Sequence, residues 1–171
     1  ITLSDFSGSA VHDLNGWRER LVRWSAGDPV SLVQAAAAQS GVLRRNEVLH
    51  LRGDIAMGRI AAAGVSSERA WAISGRAGLA FPKFNHEVPA ITVLWCEDVR
   101  RMGQLLTDKR IEKSTAPHRS RLVVAKAEPE LFAGIFEHDQ VTYASPVQIA
   151  IDCISVGGST GELALEEISR W

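Results

Sequence analysis

Tyr143-Ala-Ser-Pro-Val-Gln-Ile-Ala-Ile-Asp152-Cys-Ile154 reads as the end of a strand passing directly into a helix. Ser145 suits the N-cap, where its hydroxyl can accept from an orphan backbone N–H, and Pro146 suits the first helical position, where a missing N–H costs nothing. Val147, Ile151 and Ile154 fall on one helical stripe, which Ile149 and Ala150 widen. The apolar run is broken by Asp152 and stopped at Gly157-Gly158. A carboxylate inside such a helix needs donors once it is buried. Asp152 is therefore expected to accept hydrogen bonds that hold a neighbouring loop, a structural role in preference to a catalytic one.

Downstream, Gly157-Gly-Ser-Thr-Gly161 looks like a phosphate loop but lacks the Lys that would reach phosphate, and Glu162 would repel the ligand. The stretch reads as a helix–helix turn before a last helix from Thr160 to Arg170, with Leu163, Ile168 and Trp171 inward and Glu162, Glu166 and Glu167 toward water. Upstream, strands and helices alternate. Ala90–Cys96, rich in β-branched and aromatic residues, is the clearest strand. Asp98 caps a helix from Val99 to about Thr107. Further strands are expected at 47–51, 69–75, 111–115, 121–127, 135–136 and 141–144. Asp54 is expected to cap a helix stopped by Gly64. Nearer the start, Leu14, Trp17, Leu21 and Trp24 mark a helix from Asp13 to Ala26, and Asp28-Pro29 opens a second one ending near Gly41. The pattern gives an α/β or α+β fold: a mixed β-sheet flanked by helices, with a helical N-terminal lead. One domain of 171 residues is expected, with residues 1–41 as the lead and 42–171 as the α/β core.

Composition narrows the function. Hydrophobic residues make up 46% and charged ones 23%, which fits a soluble globular chain. No apolar run spans a membrane and no signal pattern opens the sequence. Cys96 and Cys153 lie in apolar runs and read as buried thiols, so the chain is placed in a reducing cytoplasm. Lys plus Arg is 19 against 20 Asp plus Glu, which excludes a global attraction to polyanions. The distribution is uneven, however. Residues 99–127 carry +6, through Arg100, Arg101, Lys109, Arg110, Lys113, Arg119, Arg121 and Lys126 against Asp108 and Glu112. Residues 128–171 carry −7. The two segments form opposed binding faces or lie side by side and neutralise each other. The basic one is a candidate surface for nucleic acid, another anion or a protein partner, although no aromatic residues are interleaved with it.

Chemistry-bearing patterns are sparse. The five histidines are scattered and Glu137-His138-Asp139 sits in a turn, so no metal or cofactor is expected. There is no Gly-x-Ser-x-Gly elbow, and apolar surroundings would raise the thiol pKa values. One enzymatic template resembles a nucleotidyltransferase-like start: Ser74-Gly75 as a strand-to-helix phosphate loop, and Glu97 with Asp98 at the end of the next strand for Mg²⁺. Adjacent residues on a strand point to opposite faces, which spoils the metal pair. A nucleotide-binding domain of this kind is the alternative reading, and a dimerisation module is the third.

Ser145-Pro-Val-Gln148, the aliphatic helix with Asp152, Gly157-Gly158 and the acidic helix with Glu162 and Glu166 together resemble the C-terminal signature of AbiEi-type antitoxins. Asp28-Pro-Val-Ser-Leu-Val33 and Ala70-Trp-Ala-Ile-Ser-Gly-Arg-Ala77 resemble further segments of that family. The resemblance implies a bacterial cytoplasmic transcriptional regulator of type IV toxin–antitoxin, or abortive-infection, systems. It implies an operator-binding winged helix upstream of this chain, in keeping with a start at Ile1. The implied partners are operator DNA through that wing and a nucleotidyltransferase toxin or its RNA target, with a homodimer as a further possibility. It marks no catalytic residue, and the chain is expected to be a non-enzymatic effector domain.

Overall fold

The computed structural model describes residues 29–40, 42, 47–79 and 91–169. The helix expected at 13–26, the helix end near Gly41, and Arg170 and Trp171 lie outside the described residues.

The elements follow in the order α1 (Pro29–Ser40), β1 (Val48–Gly53), α2 (Met57–Ser67), β2 (Trp71–Gly75), α3 (Arg76–Leu79) and β3 (Thr92–Cys96). Then come α4 (Val99–Asp108), β4 (Ile111–Lys113), β5 (Leu122–Lys126), β6 (Phe136–His138), β7 (Val141–Tyr143), α5 (Pro146–Val156) and α6 (Gly158–Ile168). Short 3-10 turns sit at Pro117–Arg119 and Pro129–Phe132. All seven strands form one mixed sheet in the order β4-β1-β5-β3-β2-β7-β6. Pairs β3–β5 and β2–β7 are parallel, and the other four are antiparallel. This is an α/β fold with a mixed sheet between helices and a helix at the N-terminal side of the described residues.

Sequence composition explains the placement. Strands β2 and β3 are buried at every residue and β5 at all but Lys126, so their unbroken apolar runs belong in the middle of a sheet covered on both faces. Strands β4 and β6 are three residues long and carry exposed Glu112, Lys113, Glu137 and His138, which suits the two edges. On one face Leu94, Leu122 and Val124 pack with Ile60 of α2 and with Val99, Met102 and Leu106 of α4. Their neighbours Val93, Trp95, Val123 and Ala125 alternate to the other face, with Val42, Ala127 and Leu131. Helix α5 covers that second face beside β2 and is itself overlaid by α1 and α6, through Val33, Ala37, Ala150, Ile151 and Ile168.

Local signals behaved as expected at several points. Ser145 Oγ accepts from the backbone N–H of Gln148 at 3.2 Å, and Asp98 Oδ1 accepts from that of Arg101 at 2.9 Å. Three expectations are corrected. Asp54 does not cap α2. The N-cap is Ala56, and Asp54 is drawn to Arg59 at 3.1 Å. Gly64 does not stop α2, which continues to Ser67, because Gly64 is where the Trp71 indole of β2 lies against the helix. The last helix starts at Gly158 and not at Thr160. Gly157 alone makes the turn, at φ 78° and ψ −162°, a conformation essentially restricted to glycine.

The β4–β5 connection crosses over β1, since those two strands flank it. Ser114 N–H donates to the carbonyl of His50 at 2.8 Å and Arg121 N–H to that of Leu51 at 2.9 Å. Ser120 Oγ–H donates to the Pro117 carbonyl at 2.7 Å, so its contact of 3.2 Å with His50 Nδ1 has the imidazole N–H as donor. These bonds fix the backbone that carries Arg119 and Arg121.

Candidate functional site

Two regions carry the residues singled out in the sequence. The first is buried. Asp152, fully enclosed on α5, accepts from Ser74 Oγ on β2 at 2.6 Å and from Trp95 Nε1 on β3 at 2.6 Å, both at Oδ2. Gln148, one turn earlier on α5, donates through Nε2 to Oδ1 at 3.0 Å. The carboxylate thus ties the helix to two central strands. Pro146 opens α5 and Gly157 closes it at positive φ, and Gly158, also at positive φ, begins α6. Trp95 was missed in the sequence as a member of this group. The signal was there: a buried indole N–H needs an acceptor, and Asp152 is the sole carboxylate in the apolar run that covers its face.

Ser74-Gly75 is indeed a strand-to-helix turn. Gly75 has φ +68°, and a Cβ there would stand 2.9 Å from the Ile91 carbonyl oxygen. The turn does not face Glu97 and Asp98. Gly75 pairs with Thr92 at the start of β3, whereas Glu97 and Asp98 follow Cys96 at its other end, about 13 Å or more along the strand. Ser74 Oγ is engaged by Asp152, and Asp98 caps α4. The four residues of the nucleotide alternative are therefore not brought together. The described residues contain no cluster of three or more His, Cys, Asp or Glu able to hold a metal ion.

Both cysteines are buried free thiols. Burial, with Asp98 nearby, pushes Cys96 up to about 12. Cys153 is also pushed up by burial, reinforced by Asp152 and opposed by Arg76. Neither is poised as a nucleophile.

The second region is the basic segment, which the fold divides. Arg100 and Arg101 are exposed on the first turn of α4, at the end of the sheet where β3 finishes. Lys126, opposite Cys96 and paired with Glu47, lies at that same end, and the other five cations lie beyond the far end of the helix, about 15 Å away. Lys109 and Arg110 follow α4, Lys113 is on edge strand β4, and Arg119 and Arg121 are on the crossover into β5. Lys113 and Leu122 pair with the same residue, Leu51, from opposite sides, so they are two strand spacings, or about 10 Å, apart. Arg110, Lys113, Arg119 and Arg121 are exposed and Lys109 is partly so. Ion pairs among the described residues include Arg52–Glu112, Arg59–Asp54, Lys126–Glu47 and His138–Asp139. None joins the basic segment to residues 128–171.

No helix among them is long and apolar enough to cross a membrane. No family model matches the chain, and neither a curated protein nor a solved structure does.

Proposed function

We propose that this chain is the non-enzymatic effector domain of a bacterial antitoxin and transcriptional regulator of the AbiEi type, acting in the cytoplasm against a nucleotidyltransferase toxin. The observation that carries the reading is where the family-like segments meet. Asp152, from the Ser-Pro-Val-Gln segment, accepts from Ser74 of the Ala70–Ala77 segment at 2.6 Å. Val33, from the Asp28–Val33 segment, packs with Ala150 and Ile151 on the same helix. Three stretches that resemble one family in sequence thus form one packed unit around α5, as parts of a single inherited domain would.

In this reading the buried unit is scaffold, and the exposed charge makes the contacts. The basic surfaces meet the toxin, its RNA target, or operator DNA held by an upstream winged helix. Growth rescue tests the proposal: a nucleotidyltransferase toxin, taken from the adjacent gene where that gene encodes one, is induced with and without residues 1–171. Restored growth is expected. Continued arrest, with the chain folded and abundant, overturns the antitoxin reading.

A further inference from the structure

We draw no further inference here: the strongest candidate, the partly exposed apolar run at residues 132–136 leading into edge strand β6, carries none, because nothing in the structure shows what covers it.

Discussion

Trp95 and Asp152, 57 positions apart in the chain, meet with the indole Nε1 2.6 Å from Oδ2 of the carboxylate, both side chains wholly enclosed. A hydrogen bond enclosed in such surroundings, away from water, is electrostatically stronger than one at the surface. It also fixes where α5 stands on the sheet, because Ser74 on the neighbouring strand donates to the same oxygen.

Removing the acceptor should therefore be costly. Asp152→Ala leaves the donors of Ser74, Trp95 and Gln148 without this partner and should cost at least about 3 kcal/mol. Trp95→Phe keeps most of the ring but removes the N–H, and should cost about 2 kcal/mol. Urea unfolding of Trp95→Phe, Asp152→Asn and the double variant gives the coupling directly. A coupling of about 1 kcal/mol or more is expected, and strictly additive losses would show that the contact contributes little.

Two glycines of α2 should respond in opposite directions to alanine. Gly58 is exposed and a Cβ there meets nothing within 4 Å, so Gly58→Ala should stabilise by up to about 1 kcal/mol through helix propensity. Gly64→Ala has the same propensity gain, but its methyl would overlap the Trp71 indole. The overlap should win, with a net loss of about 1–3 kcal/mol. Thermal melts of the two variants check the signs.

The β6–β7 hairpin turns through Asp139 and Gln140, at φ 48° and 62°. Both positive values mark a two-residue turn that glycine suits at its second position. Gln140→Gly should raise stability by about 1 kcal/mol, read as a higher urea midpoint. An unchanged or lower midpoint would mean that the Gln140 side chain matters.

Alkaline pH should weaken the fold through its thiols. Folded Cys96 is raised to about 12 from an ordinary 9.0, and Cys153 is raised in the same direction, both first by burial. Below pH 9 each thiol is protonated in both states and contributes no pH dependence. Above it the unfolded chain ionises while the native thiols do not, so stability falls as pH rises toward 12. The slope is about 1.4 kcal/mol per pH unit for each thiol. Urea midpoints from pH 8 to 10.5 should fall, and fall less steeply in Cys96→Ala/Cys153→Ala. Tyr143, also raised by burial, retains part of the slope.

The basic segment was legible in the sequence as +6 in 29 residues, but its division was not. Sequence gives Arg100 and Arg121 as members of one run. The fold sets Arg100 and Arg101 on the first turn of a ten-residue helix, at the end of the sheet that also holds Lys126, and places Lys113 and Arg121 beyond its other end, on either side of β1. The nucleotide alternative failed to assemble for a related reason. Ser74-Gly75 and Glu97-Asp98 are close in the chain, yet β2 and β3 are antiparallel, so the end of one lies beside the start of the other.

Local chemistry by itself determined most element types and several boundaries. Ser145-Pro146 and Asp98 start helices because their side chains or missing N–H answer needs of the first turn, and Thr92–Cys96 is a strand because branched and aromatic side chains suit a pleat. Tertiary structure decided the strand order, the partners of Asp152 and the true ends of α2 and α6. Those depend on which apolar faces can be buried together and which distant donors a buried carboxylate can reach, and neither is set by neighbours in the chain.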